Sequence, residues 1–246
     1  MPSIRSAAFG LLSSLALSLP AVSVPALGQT AYVSNNPPYS IQSGPHPGFG
    51  VELVNEMAKL LKTKVNYEFM AWGEAQAKVK AGHDLLIFPF ARTPEREPNY
   101  TWMQKLFDNN VLFVSKSGAS PIDSVEQAKA LASIGVLDGS PWDKELEKRG
   151  LTNVKRYPTS LALVSAVVSG EVAAGYGPDL ELKYAWRVGE NPGEPVFGKQ
   201  IQKVDQFLAE SKDSPSIKQE DWQAAFGAIQ QDGTFDRIYA SYFGSK

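Results

Sequence analysis

Residues Asp84 to Tyr100 read D-L-L-I-F-P-F-A-R-T-P-E-R-E-P-N-Y. The run Leu85-Leu86-Ile87-Phe88 is apolar, lies between Gly82 and Pro89, and is long enough for a strand buried on both faces. Beyond Pro89-Phe90-Ala91, Thr93 can cap a helical turn whose first position is Pro94. This places Ala91, Arg92, Thr93 and Arg96 at the carboxyl end of a parallel strand, beside free backbone N–H donors, where open α/β sheets bind ligands. Guanidinium forks with such donors suit a carboxylate, so the stretch reads as an anion-holding corner. In the alternative reading Arg92 and Arg96 are a solvated pair answering Glu95 and Glu97, or one of the two only braces the loop.

Composition narrows what such a corner can serve. The chain has 246 residues, enough for one large or two small cores. Lys and Arg number 24 against 26 Asp and Glu, with no basic run, which argues against nucleic acid as a partner. With no Cys, zinc–thiolate sites, disulfides, cysteine nucleophiles and an amino-terminal lipoprotein anchor are excluded. His46 and His83 lack metal-ligand spacing, so neither a metal nor a cofactor is expected. Residues 1–28 read as a secretory signal peptide: Arg5 gives the positive start, Ala7 to Leu19 the apolar segment, and Ala26-Leu27-Gly28 a small-residue cleavage site. That segment is too short for a membrane helix, so the mature chain is expected in the periplasm, beginning near Gln29.

Strands and helices alternate along the mature chain. Ala31 to Ser34 reads as a strand, followed by the Pro37-Pro38-Tyr39 turn. From Val51, apolar residues at Val54, Met57, Ala58 and Leu61 make a helical stripe, and Val65 to Phe69 alternates as a strand. Trp72 opens a helix ending at Gly82, at a corner of the kind that lines clefts, although a large ring there also suits a core. Val111 to Val114 reads as a first crossing into a second lobe. Asp123 with Glu126 reads as a capping box, and Ile134 to Leu137 as a buried strand. Asp138-Gly139-Ser140-Pro141-Trp142 mirrors the first corner, with N–H groups that can face an anion. Ser140 and Trp142 are therefore the expected contacts of the second lobe; Trp142 also reads as an exposed residue shielding the hinge. Thr159 or Ser160 caps a helix closed by Gly170, Val172 to Tyr176 is a strand, and Gly177-Pro178-Asp179 begins a helix for which Asp179 is a sufficient cap. Asp205 to Glu210 reads as the return crossing. Ser216 with Gln219 then makes a capping box ahead of the stripe Trp222, Ala225, Phe226 and Ile229. Two crossings imply two α/β lobes, residues 29–114 plus 206–246 and residues 115–205, with a cleft between them.

Several of these stretches carry a resemblance. Gly48-Phe49-Gly50-Val51-Glu52-Leu53, the Leu85 to Phe88 strand with Thr93-Pro94-Glu95-Arg96, Ile134-Gly135-Val136 with Gly139-Ser140, the Gly170-Glu171-Val172 turn, and the ending Asp232-Gly233-Thr234 to Tyr242-Phe243-Gly244 resemble, in order, the family 3 extracellular solute-binding proteins. These are the periplasmic receptors of amino-acid ABC importers. The resemblance implies the type II periplasmic-binding-protein fold, a non-enzymatic monomer, a small-molecule ligand and an inner-membrane ABC permease as partner. It further implies that Tyr39 lies on the ligand, unless it packs only on its own loop, and that Trp72 forms an aromatic floor.

The sequence also departs from the family pattern. Phe88-Pro89-Phe90-Ala91 stands where amino-acid binders often carry small hydroxyl residues or Gly, Gly50 where they usually have Asp, and Pro178 where they usually have the acid that pairs with an α-ammonium group. Asp179 falls one residue late. An unpaired buried charge is costly, so loss of the acid favours a small carboxylate held by Arg96 and stacked between Tyr39, Trp72 and Phe90. Other classes stay open: a periplasmic sensor, a degenerate interaction protein, and, less favoured, a cyclohexadienyl-dehydratase-like enzyme using Glu52, Glu74 or Asp179 as general acid.

Overall fold

A computed structural model of the chain describes residues 28–212 and 215–244, and the signal peptide expected over residues 1–28 lies outside them apart from Gly28. In chain order the elements are β1 (Gln29–Val33), α1 (Phe49–Leu60), β2 (Val65–Phe69), α2 (Trp72–Ala81), β3 (Leu85–Ala91), β4 (Tyr100–Ser115), α3 (Val125–Lys129), β5 (Ile134–Leu137), α4 (Pro141–Lys148), β6 (Val154–Tyr157), α5 (Ser160–Ser169), β7 (Ala174–Pro178), α6 (Asp179–Val188), β8 (Val196–Phe197), β9 (Gln202–Ser211), α7 (Gln219–Gln231) and α8 (Thr234–Phe243).

Hydrogen-bonded strands run in the order β2-β1-β3-β9-β4-β7-β5-β6, with β8 on the side of β4. At each end the strands are parallel and joined by helices: β1 with β2 and β3, and β5 with β6 and β7. The centre is the long antiparallel pair β4 and β9, paired from Tyr100↔Ser211 to Val111↔Gln202 with register shifts between Trp102 and Gln104 and between Lys105 and Phe107. The crossing read over Val111 to Val114 is the end of a single strand of 16 residues that begins at Tyr100. A strand of that length can belong to both halves: its beginning pairs β9 beside β3, and its end pairs β7.

Apolar side chains segregate accordingly. On one face of the first half, Phe49, Leu53, Val54 and Met57 of α1 pack with Trp222 of α7 and Tyr242 and Phe243 of α8. On the other face, Ala75 and Val79 of α2 cover Ile87, Phe90, Tyr100 and Trp102. In the second half, α3 and α4 cover Val111, Ile134, Val136 and Tyr176, while Leu163 and Val167 of α5 pack with Leu182 and Trp186 of α6. Complete burial of each such side chain stabilises by about 1.5–3 kcal/mol. α6 is the exception to the division, since Leu180 joins the core of the first half and the Arg187 Nη1 donates to the Ala240 carbonyl at 2.8 Å.

Two caps differ from the sequence reading. Ser124, not Asp123, caps α3 and accepts from the Gln127 N–H. Lys218 occupies the cap position of α7 without a side-chain bond, so Ser216 is not its cap. Thr159 and Gly170 bound α5 as expected, the latter at φ 78°.

Candidate functional site

A cleft of about 580 Å³ lies between the two halves. One wall carries Tyr39, Trp72, Ala91, Thr93 and Arg96, the other Ser140, Trp142 and Glu181, and the floor is Asn109 of β4 with Gln202, Val204 and Gln206 of β9. Seven of the ten residues singled out in the sequence are thus brought together. Phe90, Arg92 and Asp179 are placed elsewhere.

Arg96 is held from three sides. Its Nη1 donates to the Ala91 carbonyl at 2.9 Å, its Nη2 to Gln76 Oε1 at 3.1 Å, and its guanidinium lies 4.2 Å from the centre of the Phe90 ring. Gln76 is itself fixed, its Nε2 donating to the Trp72 carbonyl at 3.3 Å. No carboxylate comes within ion-pair distance of Arg96 among the described residues, and burial lowers its pKa, opposed by Tyr100 and Glu95. A half-buried cation so placed retains unused donors and an unmet need for negative charge.

Phe90 sits behind this arginine rather than on the cleft wall, fully buried and packed on Tyr100, Trp102 and Trp72 at ring separations of 4.8, 5.4 and 5.7 Å. Strict alternation along β3 would put Phe90 on the same face as Phe88, against α1. A register shift between Ile87 and Phe90 turns it to the α2 face instead. Its aromatic face then supports the guanidinium rather than a ligand. Arg92 is exposed and occupied: its Nε donates to Glu97 Oε2 at 2.7 Å, and its guanidinium lies over Trp102 and Phe207 at 5.4 and 5.7 Å. Arg92 therefore braces the loop, and this ion pair holds the Glu97 carboxyl below its ordinary range.

Four of the backbone donors at the two corners are spent internally. The N–H groups of Arg96 and Glu97 both close on the Thr93 carbonyl, at 3.0 Å each, forming one turn rather than a helix start. The Glu95 carboxylate is stabilised by its own backbone N–H and the Thr93 hydroxyl. At the second corner the Gly139 N–H donates to Asp143 Oδ2 at 3.3 Å, and the Ser140 N–H to the Leu137 carbonyl at 3.2 Å. Ser140 Oγ accepts from the Asp143 N–H at 3.2 Å, capping α4, so Ser140 borders the cleft as a cap. Trp142, partly exposed in the first turn of α4, contributes apolar surface.

Tyr39 is almost wholly buried. Its hydroxyl donates to Asn109 Oδ1 at 2.8 Å and its ring stacks on Phe107 at 5.0 Å. Gly50 lies beneath it: a Cβ there would meet the Tyr39 carbonyl at 3.1 Å and the Phe88 ring at 3.2 Å, so an Asp at this position requires these neighbours to give way by a few tenths of an ångström. Asp179 faces away from the cleft. Its Oδ1 accepts from the N–H groups of Asn110 and Leu180, at 3.1 and 2.9 Å, and its Oδ2 from Asn110 Nδ2 at 2.9 Å, tying α6 to β4. It lines a second cavity of about 580 Å³, formed with Phe49, Phe226 and Phe235.

Sequence reasoning missed Gln76, Asn109, Glu181, Gln202 and Gln206. Gln202, Val204 and Gln206 follow the two-residue period of a strand face, a signal that was available but lies partly ahead of the crossing read at Asp205. Glu181 stands in the first turn of α6, and burial first, then the charge of Asp179, push its pKa up to about 8.

Two α/β lobes joined by a pair of crossing strands, with a cleft over the crossing, define the type II periplasmic-binding-protein fold. The sequence profile of the bacterial extracellular solute-binding proteins, family 3, matches residues 29–245, and the chain belongs to that family. It is 24% identical over 250 residues to the L-arginine-binding protein of Pseudomonas aeruginosa, covering 96% of this chain and 95% of that one. To the lysine/arginine/ornithine-binding periplasmic protein of Escherichia coli it is 22% identical over 242 residues, covering 92% of each. Among solved structures it is similar to an ancestral cationic amino acid solute-binding protein, with a TM-score of 0.74 and 19% identity over 88% of this chain and 95% of that one. Among the described residues there is no group of His, Asp or Glu arranged to hold a metal, and no helix long and apolar enough to cross a membrane.

Proposed function

We propose that the chain is the periplasmic solute receptor of an ABC-type importer, capturing a small carboxylate or amino-acid-like solute between lobes 29–114 plus 206–246 and 115–205. The observation that carries this reading is Arg96, a half-buried guanidinium on the cleft wall with no carboxylate at ion-pair distance among the described residues. Trp72 and Trp142 offer apolar surface on opposite walls, and the Gln206 carboxamide offers neutral hydrogen bonds from the floor. Closure of the lobes about β4 and β9 would desolvate the carboxylate against Arg96, and the closed form would be what an inner-membrane permease recognises. Binding is then the whole chemistry, carried out by a monomer without cofactor. The names of the relatives, which bind amino acids, support the solute class.

Thermal denaturation of residues 29–246, refolded to strip carried-over solute, tests this against amino acids and small carboxylates. A solute selective for the folded state stabilises by about 2.7 kcal/mol at a hundredfold excess over its Kd. The expected result is a raised melting temperature that disappears in Arg96→Ala. A shift that survives Arg96→Ala, or no shift with any compound, overturns the reading.

A further inference from the structure

The cavity bordered by Asp179 lies on the other face of β4 from the cleft: Asn109 faces the cleft, while Asp108 and Asn110 face this cavity. Its volume of about 580 Å³ suits a small molecule. The walls are largely aromatic. Phe226 meets Phe235 edge-on at 5.8 Å, and the partly exposed rings of Phe235 and Tyr239 lie nearly parallel at 6.5 Å. The charges at its border are already answered, Asp108 by Lys105 and Lys203, and Asp179 by Asn110 and the Leu180 N–H. What the cavity lacks is therefore not an ion. Along α7 its wall is Gln223, Gly227 and Gln230, four and three residues apart and so on one face of the helix. Both carboxamides are exposed. Gly227 stands in the interior of α7, where glycine is a poor helix former, yet a Cβ added there meets nothing within 4 Å and the backbone is not left-handed. At Gly198, by contrast, a Cβ would strike the Ile122 carbonyl at 1.9 Å. Packing within the chain gives no reason for glycine at 227.

We propose that this cavity is a second binding site, for a neutral planar heterocycle with an amide-like edge, its ring seated over Gly227 and its edge paired with Gln223 or Gln230. A missing side chain lets a flat ring approach the helix backbone more closely than any other residue allows. Phe226, Phe235 and Tyr239 supply the ring contacts, for which offset and edge-on geometries are both favourable. A carboxamide presents a donor beside an acceptor, so it pairs with an edge that does the same. Neutrality follows from the paired state of the bordering charges, since a charged ring would have to leave water without a free partner. The proposal does not depend on Arg96 or on what the cleft binds.

Titration of residues 29–246 with adenine, uracil and nicotinamide, followed by amide and indole N–H signals in NMR, tests the proposal, with 1-methylindole as a planar ring lacking the edge. At least one of the three is expected to bind with a Kd below about 1 mM, and 1-methylindole about tenfold more weakly. The signals of Gly227 and Tyr239 should move, and the indole signals of Trp72 and Trp142 in the cleft should not. Gly227→Leu should lower the affinity by more than about tenfold by filling the seat, with a melting temperature no lower than wild type. Gly227→Ala should raise the melting temperature, because alanine is the better helix former. No binding by any of the three, movement of the cleft indoles with Gly227 silent, or an affinity unchanged in Gly227→Leu overturns the site. Equal binding of 1-methylindole overturns the role of the carboxamides. A lower melting temperature for Gly227→Ala would show that the fold itself requires the glycine, and would overturn the argument from its vacancy.

Discussion

The corners Thr93–Arg96 and Gly139–Trp142 are written in the same grammar, a strand end, a tight turn and a proline, and fold to opposite ends. At the first, the Arg96 and Glu97 N–H groups close on Thr93, and the corner presents one guanidinium with no carboxylate at ion-pair distance among the described residues. At the second, Asp143 and Leu137 absorb the donors, leaving a cap and an indole. These four backbone donors are therefore closed to a solute, and the charge on the cleft walls comes from single side chains. Resemblance between two turns in sequence says where a chain reverses, but not whether its donors remain unspent.

The comparison breaks most visibly at the arginines. Arg96→Gln is expected to lower solute affinity by about a hundredfold, equivalent to about 2.7 kcal/mol, because it removes a charge-assisted pair from a half-buried site. Arg92→Gln should change affinity less than about twofold, its exposed pair with Glu97 being worth little. Equal losses in a parallel titration would mean that the first corner acts through both guanidinium groups.

Glu210 sharpens the picture from outside either corner. It lies opposite Leu86 on β9, away from the cleft end of β3, fully buried, with its pKa pushed up to about 8 by burial and then by Asp84. The folded chain keeps this proton where the unfolded chain, titrating in the usual carboxylate range, has lost it. The associated stability is thus complete below that range and is lost as pH rises towards 8, with a slope of at most about 1.4 kcal/mol per pH unit. Glu210→Gln should melt above wild type at pH 8 and converge with it near pH 5, with no effect on solute affinity. A constant offset in melting temperature across that window would contradict the assignment.

Ser140→Ala gives the smallest effect. Loss of its cap on α4 should cost about 1 kcal/mol in denaturant unfolding, with affinity changed at most a few-fold. A larger loss of binding than of stability would show that the hydroxyl serves the solute rather than the helix.

Much of the fold was legible because it rests on local patterns. The stripe Trp222, Ala225, Phe226 and Ile229 is buried as its period requires, and Gly170 ends α5 as a left-handed residue. The site was legible where a residue's neighbours in sequence are also its neighbours in space, as for Arg96 and Trp72. It failed where a register shift or a competing bond decides the outcome. Phe90 is turned by an irregularity in pairing with β9, a strand more than a hundred residues later, and Asp179 is claimed by Asn110. Glu181 carried no signal of its own, since an acid in the first turn of a helix is ordinary until the far wall is known.

α6 has one further consequence. Its sequence places it in the second lobe, yet Leu180 and the bond from Arg187 to Ala240 fasten it to the first. A rotation that narrows the cleft about β4 and β9 would have to slide or unseat this fastening behind the hinge, as the far arm of a seesaw rises when the near arm falls. Measured affinity would then be the difference between what the solute gains in front and what α6 and α8 give up behind. Arg187→Ala, far from any solute, should tighten binding by lightening that far arm, and unchanged affinity would show that the helices ride together without strain.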